Sequence, residues 1–450
     1  MMTRTITCLL AVLVLSVAIA VRAAEPAPAP APAPDLTPFG AIRAGNAEGT
    51  IPEWTGGMTT LPANAEPGEH LPDPYPDDVR WFSVTAANLQ RYAPRVAPGH
   101  RALLRAWPDR YELRVFLTRR TAAAPQAIYD ETIANGTRAR LTDNGLAVSG
   151  ARIGIPFPTP RSGAEAMWNH ILRWRGTSVS RFDGYMISDE NANPEIRLFH
   201  EAYLSGYALG YAGPVALYYR RAGLGPVDMP GGGTLVIHET GNALTLPRAA
   251  WYRPAGEPIR VLNASDYSYD TPDPATDGVR TADMLDMFSG LLDRFDWKLV
   301  GRREMIVPYN AFRINTGQIA PQDFLLAHFP DPSFLRYEVH RVWVVEARLK
   351  PNIRHAFVRR TYYLDEDSWQ ILVAEHYDAK GTLARFAEAH GVPFPHVPVF
   401  APTLQLVYDL TTGRVLVTGI DNQEPPPAWN VGFKPQGFSP EALREPPPER

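Results

Sequence analysis

The sequence predicts an α+β protein that is mostly β: a large antiparallel sheet with a few helices packed against it. Three observations carry this. Several segments alternate with the period of two that sends successive side chains to opposite faces of a strand, the longest being RYEVHRVWVVEARL, Arg336 to Leu349. Short polar turns join many of these segments, and no alternating strand–helix rhythm sets up parallel crossovers. Forty-five prolines in 450 residues, about twice the usual share, favour loops and strand ends over long helices. No internal repeat at solenoid or propeller spacing recurs.

The chain opens MMTRTITCLLAVLVLSVAIAVRAAEP. A basic start at Arg4, an apolar run from Ile6 to Val21 and small residues before Ala23 predict a secretory signal peptide over 1–23. The run is short for a spanning helix. Cys8, the single cysteine, lies inside the run and not at its end, so it is not placed for lipidation. Cleavage after Ala23 would remove Arg4 and Arg22, leaving 42 basic and 48 acidic residues, a net −6, and no cysteine. Disulfides, thiolate nucleophiles and cysteine zinc sites are then excluded, and the mild acidic balance gives no footprint for nucleic acid. An exported chain without disulfides points to the periplasm of a Gram-negative bacterium.

Ala24 to Asp35 alternates Ala and Pro, an extended linker that builds no core. A single domain is expected over 36–438, followed by a Pro-rich tail over 439–450. Leu36 to Pro76 reads as irregular chain pinned by Trp54. Ser83 to Trp107 holds two short helices broken near Pro94 and Pro98, and Tyr111 to Leu117 a strand. Ser162-Gly163-Ala164-Glu165 opens a helix through AMWNHILRW, with Ser162 as cap and Glu165 as its capping-box partner. Met167, Ile171 and Trp174 form its apolar stripe. Thr281 opens a second helix, TADMLDMFSGLLDRF, burying Met284, Met287, Phe288, Leu291 and Leu292. Further strands are expected at Val215 to Tyr219, Thr234 to Glu239, Phe357 to Leu364, Trp369 to Tyr377, Leu404 to Asp409 and Val415 to Ile420. In the long strand, Tyr337, Val339, Trp343, Val345, Ala347 and Leu349 share a face with Arg341, opposite Glu338, His340, Glu346 and Arg348.

Chemistry is harder to find. The eleven histidines show no metal spacing, and His340, His355 and His376 sit on separate strands. No Gly-x-Ser-x-Gly elbow is present, and Gly231-Gly232-Gly233 lacks the Lys-Ser/Thr of a phosphate loop. Asp365-Glu366-Asp367 has no calcium-loop grammar, since its acids are adjacent and no distal glutamate follows a central glycine. Asp365 to Ser368, Asp378 to Gly381 and Asp409 to Gly413 therefore read as hairpin turns, where Asp and Ser bond the local backbone and Gly takes the left-handed corner. No cofactor, metal or catalytic residue is expected. A hydrolase would need a nucleophile and base that nothing here marks. Between the turns, Trp369, Ile371, Val373, Glu375 and Tyr377 face one way, and Gln370, Leu372, Ala374 and His376 the other. Such a strand either lines a cavity on one side or is packed on both.

Four segments together resemble a known family: GNAEGTIPEWTGG (Gly45 to Gly57), GAEAMWNH (Gly163 to His170), RYEVHRVWVVEARLKPNIRH (Arg336 to His355) and RRTYYLDEDSWQILVAEHYDAKG (Arg359 to Gly381). They resemble the bacterial domain of unknown function 1329, whose members are exported and similar to outer-membrane lipoprotein-sorting proteins. The resemblance runs over Leu36 to Phe438. It implies a LolA/LolB-like fold, a large curved antiparallel sheet forming an incomplete barrel, with helices packed over its concave side around an apolar cavity. It also implies a link to envelope transport and carries over no catalytic residue. The chain is about twice the size of the lipoprotein carriers.

A non-enzymatic periplasmic carrier or accessory protein holding a hydrophobic, lipid-like ligand follows as the leading expectation. Candidate pocket residues are Met284, Met287 and Phe288 from the second helix and Trp343, Trp369, Ile371 and Tyr377 from the strands. Arg341, the charge on an apolar face, is the candidate for a ligand carboxylate or phosphate. The alternative is a non-catalytic interaction module of an export assembly, partnered by an envelope transporter or outer-membrane protein.

Overall fold

The computed structural model describes residues 35–66, 68–188, 194–210, 215–226, 228–242, 248–262, 267 and 269–446. The expected signal peptide, and the Ala-Pro linker up to residue 34, lie outside the described residues. The strands are β1 (Phe82–Val84), β2 (Leu113–Val115), β3 (Arg140–Thr142), β4 (Ala147–Ser149), β5 (Ser178–Ser188), β6 (Arg197–Leu204), β7 (Val215–Gly225), β8 (Thr234–Thr240) and β9 (Ala249–Arg253). They continue with β10 (Arg260–Leu262), β11 (Phe295–Pro308), β12 (Tyr337–Leu349), β13 (Arg359–Asp365), β14 (Ile371–Tyr377), β15 (Leu383–Phe394), β16 (Val399–Asp409), β17 (Val415–Ile420) and β18 (Ala428–Trp429). Helices α1 (Leu89–Tyr92), α2 (Pro98–Ala106), α3 (Gln126–Arg138), α4 (Gly163–Ile171) and α5 (Pro321–Phe324) pack against them.

One sheet takes in all but β3 and β4. Its order is β1-β2-β12-β13-β14-β15-β16-β17-β5-β6-β7-β8-β9-β10, with β11 added to β12 and β18 to β5. Its pairings are antiparallel apart from one parallel bridge between Tyr337 and Val115, and the sheet does not close into a barrel. The fold class is the predicted one.

The centre of the sheet is covered on both faces. Every residue of β14 is buried. Leu372 and Val373 join the apolar cluster that holds Leu89 of α1 and Leu103 of α2. Ile371 and Ala374 join the cluster that holds Met167 and Trp168 of α4. The register shifts between Tyr363–Val373 and Leu364–Ile371, so Leu372 is the extra residue of a β-bulge and neighbours change faces there. Dense packing, and not an open cavity, accounts for the apolar weight on both sides of this strand.

Local signals in the sequence largely act as expected. Ser162 Oγ caps α4 by accepting the Glu165 amide at 3.2 Å, while Glu165 reaches back to Arg161 N, one residue short of a capping box. Asp378 Oδ1 accepts Lys380 N and Thr382 N at 2.9 Å, and Gly381 closes that hairpin at φ 77°. Helix α3 carries its buried face on polar residues: Thr132 Oγ1 accepts Ile155 N at 2.9 Å and Asn135 Nδ2 donates to Ile155 O at 3.1 Å. Those side chains interrupt the apolar stripe that would have announced it.

The second expected helix does not form. Thr281–Phe295 gives a short 3-10 segment, Ala282–Met287, in which Leu285 is extended and Asp286 and Met287 have φ of 51° and 67°. Its two acids, which would have shared a polar stripe, are drawn to different buried partners. Asp283 pairs with Arg360 and, at 3.0 Å, with His355, whereas Asp286 pairs with Arg173 and Arg175. Charge-assisted bonds in a buried setting outweigh the few backbone bonds that a short helix would add.

The acidic tip Asp365–Ser368 is a turn, closed by Trp369 at φ 61°, but it is buried. The N-terminal strap lies across it. Trp369 Nε1 donates to Phe39 O at 3.0 Å, Arg341 to Ala44 O at 2.9 Å and Arg120 to Arg43 O at 3.1 Å. Residues 439–445, expected in the tail, lie against the far end of the sheet. Leu443 is fully buried with Val236 and Leu204, and Arg220 Nη2 donates to Glu445 O at 2.8 Å.

Candidate functional site: an arginine-rimmed cleft

Helix α4 ends at Ile171, and the next turn supplies two arginines. Arg173 Nη1 donates to His170 O at 2.7 Å and Arg175 Nη2 to Ile171 O at 2.8 Å, satisfying carbonyls at the helix end. Their remaining nitrogens grip Asp286, Arg173 at 2.7 and 2.9 Å and Arg175 at 2.6 Å. The left-handed backbone of Asp286, which aspartate tolerates better than most residues, turns its carboxylate toward both.

Across the gap stands the inner face of β5. Val179, Arg181, Asp183 and Tyr185 alternate along it, with Tyr203, Glu201 and Phe199 of β6 opposite Val179, Arg181 and Asp183. Arg181 Nη2 meets Asp183 Oδ2 at 2.6 Å. Glu201 Oε1 accepts the hydroxyls of Tyr185 at 2.5 Å and Tyr219 at 2.6 Å. Gly419 makes room for this arrangement: a Cβ there would stand 2.2 Å from Thr403 O and 2.7 Å from Arg181 Nη2. Its φ of 83° and the register shift between Thr418 and Ile420 mark a bulge beside the arginine.

The outer part of the cleft is amphiphilic. Val179, Phe394, Ala401, Pro402, Pro427 and Trp429 form its apolar wall, and Arg173, Arg175, Arg181 and the Asp286 carboxylate its charged side. Its volume is about 60 Å³. The inner part is narrower and polar, reaching Asp183, Glu201 and Arg280. Donors and acceptors are left over here: Arg181 Nε, Asp183 Oδ1 and Trp429 Nε1 are buried without a hydrogen bond.

Charge states follow from the same contacts. Burial alone would raise Asp286, but Arg173 and Arg175 hold its carboxyl well below the usual carboxylate range. Burial pushes Asp183 well above that range despite Arg181, and Glu201 and Asp421 add to the rise. Burial, with Arg173 beside it, pulls His170 down to about 3, so its ring is neutral at physiological pH.

Residues 83–444 match the family described as "Protein of unknown function (DUF1329)". A relative from Pseudomonas aeruginosa, an uncharacterized protein, is 37% identical over 418 residues, covering 91% of each chain. The chain belongs to the DUF1329 family. Similar solved structures include a DUF1329 protein from Desulfovibrio piger, at 14% identity and TM-score 0.43, covering 63% of this chain and 98% of that one. A putative outer membrane lipoprotein-sorting protein domain from Vibrio parahaemolyticus matches at 12% identity and TM-score 0.42, covering 62% and 97%. A LolA superfamily protein from Nitrosomonas europaea matches at 12% and 0.34, covering 60% and 93%.

In this DUF1329 chain the eight residues singled out from sequence are all buried. Met284, Met287, Phe288, Trp343, Trp369 and Ile371 pack in one apolar cluster. Arg341 serves the strap and approaches Glu366 at 3.5 Å. Tyr377 donates to Glu375 at 2.8 Å and lies under the Arg359 guanidinium at 3.4 Å. None of the eight lines the cleft, or the two larger surface clefts of about 660 Å³ beside Tyr207 and Thr118. The cleft residues themselves carried a faint signal: Arg181 and Asp183 put charges on one face of a strand, and Arg173-Trp174-Arg175 follows a helix end. A Ser–His contact exists elsewhere: Ser180 Oγ and His200 Nε2 are 2.8 Å apart, with His200 Nδ1 unpartnered, and neither residue lines the cleft.

Proposed function

We infer that the protein is a periplasmic carrier or accessory protein that takes a hydrophobic, lipid-like ligand at this cleft and changes no bond in it. The observation that carries this is the pairing of an apolar wall with guanidiniums, of which Arg181 keeps a buried Nε without a hydrogen bond, the pattern an amphiphile with an acidic head requires. A chain against Phe394 and Trp429 would gain roughly 25 cal/mol per Å² of apolar area covered, so one long acyl chain contributes several kcal/mol. At about 60 Å³ the cleft takes a head and its first methylenes. More of the chain enters only if the wall moves, and Trp429 sits in it on a two-residue strand paired with Val179 and Ser180. The exported character of the sequence fits this role, and no helix among the described residues is long and apolar enough to cross a membrane.

The test is extraction of protein purified without detergent, followed by lipid mass spectrometry. A reproducible acyl lipid, reduced at least tenfold in Arg181→Met and in Phe394→Asp, supports the carrier. An empty protein that also fails to bind a fluorescent fatty acid overturns it. The packing of β14 on both faces would then favour the second reading, an interaction module of an envelope transport assembly.

A further inference from the structure

The acidic tip between β13 and β14 has a partner that its sequence neighbourhood does not show. One donor atom each from His340, Asp365 and Asp367 lies within 4.8 Å of the other two, and all three residues are buried. His340 comes from β12, so the set is assembled by strand pairing and not by spacing along the chain.

We propose that His340, Asp365 and Asp367 bind a first-row divalent metal ion, such as zinc or manganese, that ties the hairpin tip to β12. Three observations support the site. First, Asp365 is a wholly buried carboxylate to which, among the described residues, no arginine or lysine is bonded. Its Oδ2 accepts Tyr309 OH at 3.1 Å and Ser368 Oγ at 2.6 Å, while Oδ1 has no partner. An ionised carboxylate in such a place is costly unless a cation meets it. The nearby guanidiniums are spent on its neighbours: Arg120 holds Asp367 at 2.8 and 2.7 Å, and Arg120 and Arg341 approach Glu366 at 3.5 Å.

Second, His340 is oriented as metal-binding histidines are. Glu338 Oε2 lies 3.0 Å from Nε2, where it accepts the N–H in the tautomer that keeps the lone pair on Nδ1. Tyr309 stacks on the ring at 3.9 Å and fixes its plane. Third, one imidazole nitrogen with carboxylate oxygens is a donor set for zinc, manganese or iron, and less for calcium, which prefers oxygen alone. Asp367 can take part while keeping Arg120, because two carboxylate oxygens offer about four lone-pair sites. The strap over the tip closes the site to solvent, so loading belongs to folding.

The experiment refolds the chain from denaturant with zinc, or in parallel manganese, followed by dialysis and metal analysis. About one equivalent retained, at least tenfold less in His340→Gln and Asp365→Asn, and unchanged in Asp378→Asn on the exposed turn, supports the site. Less than a tenth of an equivalent with both metals overturns it, as does full retention in both site variants. If either variant fails to fold, anomalous diffraction from the refolded wild-type chain decides. A peak among the three side chains supports the proposal, and a peak elsewhere, or none, refutes it.

Discussion

Asp286→Asn removes a charge from the point where α4, the broken 281–295 segment and the cleft meet. The wild-type carboxylate accepts Arg173 through both oxygens, at 2.7 and 2.9 Å, and Arg175 at 2.6 Å. Taking one partner from a buried ion pair costs about 3–5 kcal/mol, since the other charge stays buried. Asparagine keeps one acceptor oxygen and tolerates φ 51°, so a loss near the lower end, about 3 kcal/mol, is expected. Asp286→Ala loses the acceptor and adds left-handed strain of about 1–2 kcal/mol, for a total of about 4–7 kcal/mol. Urea unfolding followed by tryptophan fluorescence measures both, with the slope unchanged if only stability moved. A loss under about 1 kcal/mol for Asn would show that the arginines do not depend on this carboxylate. A rise in helix content by circular dichroism would confirm that the ion pair, not the local sequence, breaks the helix. Equal losses for Asn and Ala would refute the strain argument.

Three further outcomes are expected. His170 is held at about 3, below its unfolded value, so its contribution is complete above pH ~6.5 and is lost as pH falls toward 3, by about 1.4 kcal/mol per pH unit. The stability gap between wild type and His170→Gln should therefore narrow between pH 6.5 and 4.5, and a pH-independent gap would contradict the neutral ring. Gly419→Ala should cost clearly more than Gly381→Ala in urea unfolding. Both have φ near 80°, but only at 419 would a Cβ strike Thr403 O and Arg181, so equal losses would mean that the close approach is unimportant. Leu443→Ala should lower stability by about 2–5 kcal/mol in the same assay, as for any leucine wholly enclosed by apolar neighbours; a change under 0.5 kcal/mol would mean the C-terminal segment is not docked.

Much of the fold was legible because its signals are local. The period of two in β12, the Ser162 cap of α4 and the Asp–Gly corners after β14 and β16 depend on residues within a few positions of one another. Helix α3 was hidden because Thr132 and Asn135 replace apolar residues on its buried face. Thr281–Phe295 misled in the opposite way, since its apolar spacing was helical while Asp283 and Asp286 are drawn to separate arginines. The cleft left only a faint signal for a related reason: charges on the inner face of β5 look like solvent-facing residues until a buried partner is known.

Local patterns in the chain are enough for the class, the antiparallel order of neighbouring hairpins, the family and the absence of any cysteine beyond Cys8. These follow from periodicity, turn chemistry and composition, which act over short distances along the chain. Tertiary structure decided which charges meet. Arg173 and Asp286 are 113 positions apart, Arg120 and Asp367 are 247 apart, and the acidic tip gains its strap from Phe39, 330 positions before Trp369. A carboxylate in water and a carboxylate buried beside a guanidinium have the same letter. Only the folded neighbourhood, by removing water and supplying a partner, gives each its charge and its role.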